Sequence, residues 1–315
     1  MRLKVLGSCL VSLSLLPCLS GLNCNNNPTS VTVLPTVGFV TSGDEGDTAT
    51  RQVVDWSAGP ATINIGLTAV AKSNITIPIT VMSSSTANNP ADYTINTTSP
   101  VITAGDSVDS IRVSVKPGTS YQTFKTVILT IGQSSSAKLG RYLFDTVYIV
   151  DAQGFGAIYK LAENDVQGWK PDPNSPAPFA VFTGNELYTR LDGGAGTYLL
   201  IGGGLVNVYQ DLVGPPEDGG TDPTMCSPLV AMDCGTTANA ERMFNYWKEN
   251  SGASVAIPGY DATVAIGYPG LGGNQTVYAH FKTVYFELVL GGYLSIDQSS
   301  AAAALILKNL EAKTH

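Results

Sequence analysis

The chain has 315 residues, enough for two domains with ordinary cores, and only 13% of them are charged. Its formal net charge is −8, with 33 glycines, 8% aromatic residues and two histidines, His280 and His315. This is the composition of an exported β-rich protein: it has no basic footprint for nucleic acid, it is repelled by anionic lipid, and two histidines nearly exclude a histidine-dependent triad or a multi-histidine metal site.

Residues 1–23 read as a targeting segment. Arg2 and Lys4 form a basic start, and the apolar run from Val5 to Leu19, interrupted by Pro17, is too short for a permanent membrane span. Cys24 follows Ser20-Gly21-Leu22-Asn23, an order that resembles a relaxed bacterial lipobox, with Asn23 where the strict pattern has a small residue. The resemblance implies that Cys24 becomes the acylated first mature residue of a lipoprotein held at the outer membrane. Residues 24–35, including Asn25-Asn26-Asn27-Pro28-Thr29-Ser30, then form a flexible polar tether. The alternative is a plain secretory peptide cut near Ser20 or Gly21. Both readings export the chain, and the sequons at Asn74, Asn96 and Asn274 mean little in a bacterial host.

Residues 36–151 alternate with period two. Ile75, Ile77, Ile79 and Val81 share one face, as do Ile111, Val113 and Val115, and Val127, Leu129 and Ile131. Turn-forming clusters at Ser57–Pro60, Ala87–Pro90 and Lys116–Ser120 divide these runs. Short strands at such spacing predict an antiparallel β-sandwich. The order V-G-F, E-G-D-T-A-T, I-T-I-P-I-T-V, A-D-Y-T, I-T-A-G-D-S, I-R-V-S-V, T-F-K-T-V-I-L-T-I, A-K-L-G and T-V-Y-I-V-D closely resembles the Calx-beta domain, an immunoglobulin-like sandwich of sodium–calcium exchangers and bacterial surface proteins.

After Asp151 the texture changes. Helical spacing covers Asn185–Leu191 and Ala238–Glu249, where Ala240, Met243, Phe244 and Trp247 share a face and Thr236 or Thr237 is the expected N-cap. Strands are expected at Tyr198–Ile201 and Leu205–Tyr209, then at Thr263–Tyr268, Thr276–His280 and Thr283–Leu290 as an antiparallel meander. A last helix starts at Ser299 or Ser300 and runs to about Ala312. Residues 152–315 thus read as an α+β domain with two to three helices. Residues 160–313, through Leu187-Tyr188-Thr189-Arg190-Leu191-Asp192-Gly193-Gly194-Ala195-Gly196-Thr197-Tyr198, resemble an uncharacterised bacterial secreted family, which implies a fold and no chemistry. Cys226 and Cys234, the remaining pair in an oxidising compartment, read as a disulfide.

The Calx-beta resemblance implies calcium at one end of the sandwich. Glu45, Asp92 and Asp151 match three of that family's ligand positions, while Lys116–Gln122 replaces its acidic middle stretch and Ala152 and Gln153 its further terminal aspartates. The set predicts at most one weakly held ion, at about 10⁻⁴–10⁻³ M; the competing reading has Glu45 and Asp92 capping turns. In Asp192-Gly193-Gly194, Asp192 reads either as an acid or nucleophile or, more simply, as part of a helix C-cap. Gly202-Gly203-Gly204 is no phosphate loop, since it lies between strands without a following lysine. The whole predicts a non-catalytic, lipid-anchored envelope protein that contacts another envelope or extracellular protein. A calcium-responsive adhesion module and a secreted enzyme are the alternatives.

Overall fold

Strands that bury one parity and expose the other build the first half of the fold. They are β1 (Thr36–Phe39), β2 (Ala49–Asp55), β3 (Ala61–Leu67), β4 (Ile75–Thr76), β5 (Ile79–Val81), β6 (Tyr93–Ile95), β7 (Val101–Ile102), β8 (Val108–Val115), β9 (Lys125–Ile131), β10 (Lys138–Leu139) and β11 (Phe144–Val150). In β3, Ala61, Ile63 and Ile65 are buried while Thr62 and Asn64 face water, as period two requires. The computed structural model describes residues 33–40, 49–118, 123–174, 179–181, 198, 206–216, 222–270, 274–291 and 294–314.

Two sheets, ordered β10-β1-β3-β8-β6 and β2-β11-β9-β5, enclose one core. Phe39, Ile63, Ile65 and Ile111 come from the first sheet, and Ile79, Val127, Leu129, Val147 and Ile149 from the second. Pro78, which has no amide to donate, splits the run of isoleucines: β4 pairs with β7, and β5 with β9. Pairing is antiparallel except at two places, where β1 runs parallel to β10 and β2 parallel to β11. The N-terminal stretch contributes β1 to one sheet and β2 to the edge of the other, so the expected antiparallel sandwich gains two parallel pairs.

β11 leads directly into helix α1 (Ala152–Tyr159), whose N-cap is Asp151. No helix is legible there in the sequence, because Gly154 and Gly156 each disfavour one by about 1 kcal/mol. Burial of Phe155 and Tyr159 holds it instead.

The remaining elements are β12 (Lys170–Pro171), β13 (Phe179–Val181), β14 (Val206–Pro216), β15 (Pro223–Asp233), α2 (Thr237–Asn250), β16 (Val255–Ala256), β17 (Ala265–Pro269), β18 (Gln275–Phe281), β19 (Val284–Gly291) and α3 (Ile296–Lys313). Together the strands form an eight-stranded sheet ordered β12-β14-β15-β19-β18-β17-β16, with β13 also paired to β14. One face packs Val277, Phe286, Leu288 and Leu290 on Phe155 of α1 and Ile306, Leu307 and Leu310 of α3. The other packs Met232, Tyr278 and Tyr285 on Ala240, Met243 and Phe244 of α2. Both parities of β18 and β19 are therefore apolar. Thr236 caps α2 as expected. The cap of α3 is Ser295 rather than Ser299 or Ser300, which lie buried within the helix; Ser295 and Gln298 complete a reciprocal capping box.

The expected Cys226–Cys234 disulfide is overturned. Both thiols are free and buried. Cys226 lies near the start of β15 and Cys234 just past its end, so extended backbone separates them by roughly 25 Å. A disulfide needs Cα atoms within about 7 Å.

Candidate functional site

A cavity of about 270 Å³ opens at the end of the sandwich where β11 gives way to α1, lined by Trp56, Asp92, Lys116, Lys125 and Asp151 among others. Register explains the gathering. β2 and β11 run side by side to Asp55 and Val150, and the ladder continues with the Trp56 amide donating to the Val150 carbonyl at 3.0 Å. Lys125 shares its parity on β9 with the buried Val127, Leu129 and Ile131, so it points inward at the mouth of the core. The Trp56 ring lies against Gly118 so closely that a Cβ there would come within 2.3 Å of it.

Each carboxylate here has partners. Asp92 Oδ1 accepts from Lys125 Nζ at 2.6 Å, and Oδ2 accepts from the Asn88 amide at 2.8 Å. Burial works against the charged form of Asp92, but the lysine hydrogen bond, the Asn88 amide and the lysine charge together hold its carboxyl below the ordinary aspartate range. Asp55 accepts from the Ser57 amide and hydroxyl through Oδ1, and from the Ala152 amide at 2.8 Å through Oδ2. Asp151 Oδ1 accepts from the Gly154 amide at 2.7 Å. Burial pushes the Asp151 carboxyl up; the Gly154 amide opposes this, and the nearby Asp55 charge adds to it. Lys116 Nζ donates to the Pro90 carbonyl.

The cavity brings together two of the three expected calcium ligands, Asp92 and Asp151. Glu45 lies outside the described residues. Asp55 is the carboxylate that the fold brings beside Asp151. The Lys125 ammonium sits on Asp92 Oδ1, the Asn88 amide on Asp92 Oδ2 and the Gly154 amide on Asp151 Oδ1, and no group of three or more metal-ligating side chains is close enough to hold an ion among the described residues. The described carboxylates, already hydrogen-bonded, supply few of the six to eight oxygens that a calcium ion takes. Asp92 capping its own turn is the reading that matches the hydrogen bonds. Asp55 carried a faint sequence signal, a carboxylate closing an apolar run before a glycine turn. Nothing local marks Lys125, whose partner lies 33 residues away.

Tyr198, from the motif of unknown role, reaches a second polar position. Its hydroxyl donates to Glu287 Oε2 on β19, which also takes a bond from Tyr285 at 3.4 Å. Tyr278 and Trp247 stack above at 5.6 Å between ring centroids. Burial drives the Glu287 carboxyl up, with the two tyrosine hydroxyls opposing the shift. Asp192, Gly193 and Gly194 lie outside the described residues, as does Cys24. Among the described residues no helix is long and apolar enough to cross a membrane.

No family model matches the chain, and no curated protein matches it. Among solved structures, the Calx CBD2 domain is similar with a TM-score of 0.32 and 16% identity, over 39% of this chain and 90% of that one. The apo form of the Calx CBD1 domain is similar with a TM-score of 0.32 and 13% identity, over 38% of this chain and 98% of that one. CBD12 from CALX1.2 is similar with a TM-score of 0.31 and 14% identity over 37% of this chain, which spans 44% of that structure. Likeness at this level assigns neither ligand nor activity to the chain.

Proposed function

We propose that this chain is an exported, lipid-anchored envelope protein without catalytic activity. In this reading a sandwich of residues 36–151 holds an α+β domain of residues 152–315 away from the membrane, where it contacts another envelope or extracellular protein. The observation that carries the reading is the packed joint. Val53, Phe124 and Tyr148 of the sandwich pack against the core beneath α1 and α3. The Thr123 hydroxyl sits 3.1 Å from both carboxylate oxygens of Asp233, and the Asp55 carboxylate receives the first amide of α1. A joint with shared core and hydrogen bonds transmits orientation, as a presenting scaffold requires and a free linker does not.

Expression of the full chain in a Gram-negative host tests the anchor. The protein is expected in the membrane fraction with a modified Cys24, and the Cys24→Ser variant in the soluble fraction. Recovery of unmodified wild-type protein in the soluble fraction overturns the lipid-anchored reading.

A further inference from the structure

The end of the sandwich beside α1 carries its own cation. Lys125 is on the inward parity of β9, its ammonium is 2.6 Å from Asp92 Oδ1, and both side chains are largely withdrawn from water, at 33% and 19% exposure. Among the described residues, the charged groups around the cavity are Asp92, Asp151, Lys116 and Lys125, with Asp55 beside Asp151. The second oxygen of Asp92 is taken by the Asn88 amide, and both oxygens of Asp55 by Ser57 and Ala152. Lys116 is turned to the Pro90 carbonyl, which leaves Lys125 as the ammonium bonded to a carboxylate there, among the described residues.

We propose that the Lys125 ammonium is the fixed counter-ion of this end, standing where the Calx-beta resemblance implies a bound divalent cation, so that the joint between sandwich and α1 forms irrespective of calcium. The physical reason is local charge. A largely withdrawn carboxylate in a cavity that Asp151 also lines is costly unless a positive charge faces it, and removing one partner of such a pair leaves the other uncompensated. A lysine supplied by the chain needs no ion from the medium. The joint is then built for constant rigidity, and calcium sensing is excluded from this end. The inference is independent of the anchor, which the fractionation of Cys24→Ser tests separately.

The experiment is calorimetry of the purified full chain in EDTA and in millimolar calcium chloride, for wild type, Lys125→Met, Asp92→Asn and the double variant. Wild type is expected to melt at the same temperature in both media. Lys125→Met, which keeps the apolar stem and removes the charge, is expected to melt about 2–4 °C lower. Adding Asp92→Asn to Lys125→Met should recover part of that loss, because the uncompensated carboxylate is gone. Lys125→Arg, which keeps the charge, should stay near wild type, and Lys125→Gln stands in if Lys125→Met does not fold. A melting temperature that rises with calcium in wild type overturns the proposal. So does a double variant that is no more stable than Lys125→Met, since Lys125 would then act through packing alone.

Discussion

Glu287 is an acid set among rings. Tyr198, Tyr278 and Tyr285 surround it, and desolvation outweighs the two tyrosine hydrogen bonds, so its carboxyl holds a proton more tightly in the folded chain than at its ordinary value of 4.5. For an acid whose folded value is raised, stability is fully present below the unfolded value and is lost as pH rises through the folded one. Glu287→Gln keeps an acceptor for a tyrosine hydroxyl and cannot ionise. The melting temperature of this variant relative to wild type is therefore expected to climb between pH 4 and pH 7. Scanning calorimetry across that range checks the slope, and a gap that narrows with pH would show that the tyrosines more than compensate the charge. Asp92 is the opposite case: its lowered carboxyl adds stability above the ordinary aspartate range, which is lost as pH falls through the folded value.

At the scale of elements, β15 shows how a strand defeats a plausible pairing. Eight residues apart on one extended segment, Cys226 and Cys234 are delivered to opposite faces of the sheet. Cys226 joins the core under α1 and α3, and Cys234 the core under α2. Burial raises both thiols strongly, and the neighbouring Asp211 and Asp233 charges add to this. Because the thiolate is the reacting form, both cysteines should resist iodoacetamide in native, unreduced protein and react fully after denaturation without reductant. Peptide mapping reads both sites separately. A linked Cys226–Cys234 peptide would contradict the strand geometry itself.

At the scale of the whole molecule, the joint decides whether the sandwich and the large sheet unfold together. Phe124 lies edge-on to Tyr148 at 5.5 Å between centroids and covers Gly235, which has φ +72°. A Cβ on Gly235 would come within 2.0 Å of the Phe124 ring, so a side chain there meets both a clash and a backbone that favours glycine. A single cooperative melt is expected for wild type. Phe124→Ala should lower stability by about 2–3 kcal/mol, somewhat less than a fully buried phenylalanine, since Phe124 is half-buried. Calorimetry distinguishes the outcomes, because two separated transitions in wild type would mean that the joint does not couple the halves.

The sequence by itself determined what repeats locally. Period two in residues 75–81, 111–115 and 127–131 was enough for the sandwich strands, and the spacing of Ala240, Met243, Phe244 and Trp247 was enough for α2 and its Thr236 cap. Each of these signals is carried by residues within one or two turns of each other, and burial of one face enforces them. Tertiary structure decided the rest. The parallel pairing of β2 with β11 set Asp55 beside Asp151. Packing of Phe155 and Tyr159 made a helix of a glycine-containing stretch. The extension of β15 parted the two cysteines, and Lys125 met Asp92 from 33 residues away. Local pattern records which face of an element avoids water. Which elements become neighbours, and so which charges meet, depends on contacts between distant segments that no spacing along the chain encodes.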